Sequence, residues 1–211
     1  MSTLFLIFLI LAIGALIGIY IVNKKKQGPA SNDAAATHTA QPSVENLQKG
    51  GVFRVNGFGE RLDDMDFLVL DRHEYREGNY KWFELECETG NEKIWINVER
   101  DDDLEITVST SKMRLAELGI SKEDLQRFDN DEDGSFSYEG KKFYYEDSGS
   151  AQFFRAGDMS NAQDFYYWEF ESEEDPRFIG VERWSDGSFE VHVSEAIRES
   201  RITVYSNSGG E

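Results

Sequence analysis

Leu104-Glu105-Ile106-Thr107-Val108-Ser109 recurs 85 residues later as Phe189-Glu190-Val191-His192-Val193-Ser194. Both segments alternate apolar and polar residues, the pattern of a strand with one face on a core and the other toward water. Working outward, Phe53-Arg54-Val55-Asn56-Gly57 recurs as Phe136-Ser137-Tyr138-Glu139-Gly140, and Phe83-Glu84-Leu85-Glu86 as Trp168-Glu169-Phe170-Glu171. Ile96-Asn97-Val98-Glu99-Arg100 recurs as Ile179-Gly180-Val181-Glu182-Arg183, so the offsets are 83, 85, 83 and 85 in unbroken order. Amphipathic strands converge on similar strings, but four ordered matches point to a repeated β unit. Further strand-like runs at Phe67–Leu70 and Trp82–Glu86 are separated by Gly, Asp and Asn clusters that suit hairpin turns.

The expected fold is mainly β, with two pseudo-repeated antiparallel units spanning 48–110 and 134–205. Apolar faces packed together about a pseudo-twofold axis would make a sandwich or paired small open barrels, with a groove where the halves meet. A helical linker and acidic turn fill 111–133. Ser121 and Asp124 form a capping box there, Ile120 and Leu125 flank it as a hydrophobic staple, and a short helix over 122–128 follows. Met113 to Leu118 predicts another helical turn, stopped by Gly119. Residues 206–211 read as a disordered tail.

The N-terminus is of another kind. After a short start at 1–3, Leu4 to Val22 is an apolar run of 19 residues without a charge, followed by Asn23-Lys24-Lys25-Lys26. At ~1.5 Å rise per residue it spans the hydrocarbon core of a bilayer as one helix. A cleaved signal peptide would carry its basic residues before the apolar run, not after it. The lysines predict a single-pass helix in the inner (cell) membrane, N-terminus out, with the C-terminal domain in the cytoplasm. Gly14 and Gly18 have the small-x-x-x-small spacing that lets helices pair, a route to a homodimer, although glycine is common in such helices anyway. Residues 23–47 complete the basic stop and continue as a flexible tether poor in large apolar residues.

Charge is partitioned just as sharply. Residues 1–47 hold three lysines against two acids, whereas the rest holds 19 basic against 39 acidic residues. A domain this negative is repelled by phosphate backbones and anionic headgroups, which excludes nucleic acid as a partner. The lone Cys87 permits no intrachain disulfide and no cysteine zinc site, and its strand setting suits a small buried hydrophobe.

Candidate chemistry is sparse. Asp129-Asn130-Asp131-Glu132-Asp133-Gly134 places Asp129, Asp131 and Asp133 at the alternate positions of a Ca²⁺ loop, with a glycine for the sharp turn. The bidentate Glu such a loop needs is replaced by Gly140, so an acidic turn is the alternative. Glu84, Glu99, Glu169 and Glu182 recur at matching points of the two units and, with Trp82 and Trp168, are the candidate lining of an inter-repeat groove. Paired carboxylates there would serve acid–base chemistry if burial separated their pKa values. His192 reads as a solvated surface histidine. No catalytic fingerprint appears.

The aromatic and glycine pattern of Phe136–Ala151, followed by Tyr167-Trp168-Glu169-Phe170 and Ile179-Gly180-Val181-Glu182-Arg183, resembles the bacterial domain-of-unknown-function family 4178. The first half is similar at Trp82, Trp95 and Glu99, so the likeness covers roughly residues 48–205, in two copies of the unit. It implies a membrane-associated accessory role beside proteins similar to the phage-shock coat protein and beside polyamine-synthesis enzymes, and it carries over no catalytic residue. Three functions follow as expectations: a membrane-anchored module that binds a protein partner, a regulatory sensor of a cation or polyamine, and an enzyme using paired Glu residues.

Overall fold

The computed structural model describes residues 42–58, 62–90 and 92–208. The apolar run 4–22, its Gly14/Gly18 face, the lysine cluster and the tether up to residue 41 lie outside the described residues. Among the described residues no helix is long and apolar enough to cross a membrane.

Eleven antiparallel strands are described: β1 (Val52–Val55), β2 (Met65–Glu77), β3 (Tyr80–Thr89), β4 (Glu92–Arg100), β5 (Leu104–Met113), β6 (Ser135–Tyr138), β7 (Lys141–Phe154), β8 (Ala162–Ser172), β9 (Arg177–Trp184), β10 (Phe189–Ala196) and β11 (Ile202–Ser206). They form one sheet in the order β11-β1-β2-β3-β4-β5-β10-β9-β8-β7-β6. β1–β5 and β6–β10 are two meanders with the same pairing scheme. They join edge to edge at β5 and β10, where Ser109 lies opposite Ser194.

The long strands β2 and β7 close the arrangement. The start of β2 pairs with β1 and the start of β7 with β6, but their far ends pair with each other, Tyr75 opposite Phe153. Each strand carries a bulge part-way, between Val69 and Asp71 in β2 and between Tyr145 and Asp147 in β7, which bends it from one neighbour toward the next. Strands β2-β3-β4-β5-β10-β9-β8-β7 thus make a closed eight-membered ring.

Strand parity then sorts the side chains. Leu85, Cys87, Ile94, Ile96, Val98, Ile106 and Val108 point away from the ring into a first core. β1, β11, Val44, Leu47 and Ile197 cover it. Phe143, Trp168, Phe170, Ile179, Val181 and Val191 point away on the other side into a second core, covered by Leu115, Leu118, Leu125 and Phe128. Full burial of one such side chain is worth roughly 1.5–3 kcal/mol, which is what holds each half curled. The two apolar faces therefore do not pack together; each half wraps its own core, and the polar faces meet across the ring.

Helix α1 (Lys122–Asp131) supplies Leu125 and Phe128 to the second core. Its capping box is as the sequence spells it: Ser121 Oγ accepts from the Asp124 N–H at 3.2 Å and Asp124 Oδ2 accepts from the Ser121 N–H at 2.9 Å. The Met113–Leu118 segment contributes a single 3₁₀ turn, Leu115–Glu117. Two boundaries move. Val44 and Leu47, at the end of the expected tether, are buried in the first core. β11, expected in the second unit, instead pairs with β1 of the first, Thr203 opposite Arg54.

Candidate functional site

The inward faces of the ring strands enclose a cavity of about 230 Å³. Its wall includes Trp82 and Glu84 from β3, Trp95, Asn97 and Glu99 from β4, Glu105 and Thr107 from β5, Glu169 from β8, Phe178 and Glu182 from β9, and His192 from β10. Five of the six residues expected in the groove meet here: Glu84, Glu99, Glu169, Glu182 and Trp82. Trp168 does not. It lies in the second core, because the repeat matches it to Phe83, whose side chain also leaves the ring; the counterpart of Trp82 is Tyr167, one residue earlier.

Like charges directly oppose one another on this face. Glu99 is the cross-strand partner of Glu105, and Glu182 of Glu190. Such pairs are unfavourable unless a positive group or a proton intervenes. At Glu182 and Glu190 basic groups do intervene: Lys112 Nζ lies 2.8 Å from Glu190 Oε2, and His192 Nε2 lies 3.6 Å from Glu182 Oε2. Burial alone would lower the His192 pKa, but the adjacent Glu182 carboxylate outweighs it and the net shift is upward. His192 is thus a half-buried partner inside the ring and not a solvated surface residue. At Glu99 the neighbour is neutral, the Tyr80 hydroxyl donating at 2.5 Å.

Two further carboxyls are held far from their usual range. Glu84 is pushed up to about 7 by burial, against the pull of His192 and Lys112; the Tyr75 hydroxyl donates to it at 3.4 Å. Glu169 is also pushed up to about 7, by the crowding of the strand wall around its carboxyl and then by Glu99, Asp147, Glu77 and Glu105, all of them acids, although the residue keeps an exposed side toward solvent. Nearby, Tyr167 donates its hydroxyl to Glu77 at 2.7 Å, and burial, then that hydrogen bond and the surrounding acids, raise its own pKa.

An aromatic seam walls the ring where β2 meets β7. Tyr75 stacks on Trp82 at 5.3 Å and packs on Phe153 at 5.0 Å, while Phe165 lies 5.1 Å from Trp184. His73 is buried behind the seam, and its Nδ1 accepts the Ala156 N–H at 3.0 Å. Burial lowers its pKa, in keeping with a neutral ring that accepts there.

The acidic loop after α1 is arranged differently from a Ca²⁺ loop. Asp129 turns back onto the sheet, where Ser148 and Tyr166 donate to it, Tyr166 at 2.6 Å. Asp133 accepts from the Gly134 N–H, closing its own turn. Asp129, Asp131 and Asp133 do not converge. Among the described residues, the set that brings three ligand atoms within 4.8 Å of one another is Glu182, Glu190 and His192, and the Lys112 ammonium already sits against it. The arginines that follow Glu99 and Glu182 turn elsewhere: Arg100 grips Glu45 with two hydrogen bonds, and Arg183 lies over the Tyr166 ring. Cys87 is fully buried in the first core.

Strand alternation shows the face of His192 but not the Glu182 carboxylate it meets, and it does not single out Glu105 and Glu190. Their signal was present in the recurring Leu104 and Phe189 segments, where Glu105 and Glu190 share a face with Thr107 and His192. Comparison with known protein families matches residues 60–199 to a model described as Domain of unknown function (DUF4178). No curated protein and no solved structure matches the chain.

Proposed function

The chain belongs to the DUF4178 family, whose description assigns no chemistry, and from the ring itself we propose a non-enzymatic regulatory module that binds an organic cation of the polyamine class. One observation carries this: a cavity walled by Glu84, Glu99, Glu169 and Glu182 together with Tyr75, Trp82 and Trp95. Carboxylates attract ammonium groups, aromatic faces add cation–π attraction, and alkyl segments between ammonium groups cover the rings. Binding relieves the opposed carboxylates, so the closed ring is favoured when a cation is inside. A tether through residues 4–22 would hold this sensor at the cytoplasmic face of the membrane, in keeping with the membrane-stress setting that the family resemblance implies. The matched pairing of β1–β5 and β6–β10 supports an origin by duplication of one five-stranded unit, each forming a small open barrel.

Calorimetry of the full chain in non-ionic detergent, titrated with spermidine, Ca²⁺ and Mg²⁺, tests the reading. Spermidine is expected to bind at micromolar to low millimolar concentration, and the double variant E99Q/E182Q to bind at least tenfold more weakly. Absence of heat with millimolar spermidine would overturn it.

Among the described residues β6 and β11 are the end strands of the sheet, which favours a second reading, in which a membrane-associated protein, such as one like the phage-shock coat protein, adds a strand to it. Crosslinking from solubilised membranes separates the two. A partner crosslinked to β6 or β11, with no spermidine heat, selects the second.

A further inference from the structure

The ring is closed least securely where β2 meets β7. Three residue pairs join those strands, against six between β5 and β10 on the opposite side. Side chains reinforce the seam. Arg76 lies 5.4 Å from the centre of the Phe154 ring, and Tyr167 bonds Glu77 beside Gly149, where a Cβ would crowd both. A further tie is His73, buried on β2. Its Nδ1 accepts the N–H of Ala156 at 3.0 Å, in the 3₁₀ turn Arg155–Gly157 that carries β7 into β8.

Two features make this tie sensitive. Ala156 stands at φ +52°, the left-handed region that a residue with a Cβ rarely adopts. The hydrogen bond to His73 helps to hold it there. One proton also cancels the acceptor: a neutral imidazole accepts at Nδ1, whereas an imidazolium donates from both nitrogens. Protonation sets N–H against N–H at Ala156. The exposed Arg155 guanidinium adds repulsion from the same turn. Glu86 on β3 draws the imidazolium the other way, its Oε2 lying 3.7 Å from His73 Nε2 while Lys93 holds its other oxygen at 2.6 Å. The remaining charged groups around His73 are Asp71 on its own strand and Glu84 opposite it on β3. Lys112, Asp186 and Glu190 line the same end of the ring.

We propose that His73 is a proton-operated latch: neutral, it holds the Ala156 turn and the β2–β7 seam closed; protonated, it releases the turn, bonds Glu86 and frees the seam to open. The sign follows from burial, which lowers the His73 pKa. Closure through the latch is at full strength above pH 6.5, the ordinary histidine value, and is lost as pH falls through the lower value of the closed ring. Glu84, Glu169 and His192 act in the opposite sense, since each holds its proton more tightly in the fold. Opening of the seam in acid is therefore assigned to His73. The latch needs no ligand, so it goes beyond the cation-binding reading and stands or falls separately from it.

Hydrogen exchange on the full chain in non-ionic detergent tests it, at pH 7.5 and pH 5 with exchange times scaled to equal intrinsic amide rates. In wild type the amides of 73–77 and 150–157 are expected to lose protection by about tenfold or more at pH 5, while those of β5 and β10 keep theirs. H73N puts a carbonyl oxygen, which does not titrate, near the place of Nδ1, and should hold the seam at both pH values. H73L has no acceptor and should leave the seam open at both. A cooperative thermal melt of each variant establishes that it is folded. Seam protection in wild type that is unchanged at pH 5 would overturn the latch. Equal acid loss in H73N and wild type would assign the opening to other groups. A folded H73L with wild-type protection at pH 7.5 would show that the His73–Ala156 bond does not hold the seam.

Discussion

Gly134 shows how one residue can be read two ways. In the sequence it is the glycine of an acidic loop that suits Ca²⁺. In the structure it has φ +144°, and a Cβ on it would run into the Phe128 ring of the second core. The glycine is there so that the chain can leave α1 close against an aromatic side chain, which in turn packs on Phe170 at 5.6 Å. G134A is therefore expected to destabilise the domain by about 1–3 kcal/mol, the usual cost of overpacking, in calcium-free buffer. Urea unfolding with chelator present reads this out; an unchanged midpoint would return Gly134 to the loop chemistry. The same scale shows what was legible. Glu84, Glu99, Glu169 and Glu182 could be found because strand alternation and the repeat fix their face. Trp168 differs from Trp82 by a single step of parity, and an aromatic residue in the matching segment looks equivalent whichever side it faces. His192 alternates with two valines, which reveals its face but not what that face meets. Only the closed ring tells water from the Glu182 carboxylate.

At the scale of elements, the strands and α1 were readable because their signals are local: period-two alternation, turn residues, a capping box. Closure was not. It depends on three residue pairs between β2 and β7, far apart in sequence, and on bulges that redirect two long strands. The partner of β11 is hidden for the same reason, because Ile202-Thr203-Val204-Tyr205 announces a strand without announcing its neighbour. The structure makes that partner β1, a four-residue strand held between β2 and β11, with Ile202 and Val204 packed on the first core. Deleting residues 199–211 should then cost roughly 2–4 kcal/mol, the burial of about two aliphatic side chains, and leave β1 as an exposed edge prone to association. Hydrogen exchange checks the location as well as the size. Protection is expected to fall in β1 and to persist in β8 and β9; loss in β8 and β9 with β1 intact would place β11 in the second half after all.

At the scale of the whole molecule, a polar interior between two apolar cores sets the pH behaviour. The Glu84 and Glu169 carboxyls stand at about 7 in the fold against 4.5 ordinarily, and the shifted His192 is also raised from 6.5. In each case the folded state holds its proton more tightly than the unfolded chain does. The two carboxyls therefore favour the fold most fully below about pH 4.5, and that contribution is lost as pH rises through about 7. The contribution of His192 is fully present below about pH 6.5 and is lost as pH rises through its higher folded value. A bound ammonium works in the opposite direction, because it needs the carboxylates ionised. An alkylammonium itself stays protonated across this range. Spermidine affinity should rise between pH 6 and pH 8, and binding at pH 7 should release protons from the ring. Titrations at pH 7 in buffers of different ionisation enthalpy measure that release directly, since the observed heat changes with the buffer in proportion to the protons transferred. Release is expected at pH 7 and should shrink by about pH 8.5, where both carboxyls are already ionised. Heats independent of buffer at pH 7, with affinity flat from pH 6 to pH 8, would mean that the cation does not sit among these carboxylates.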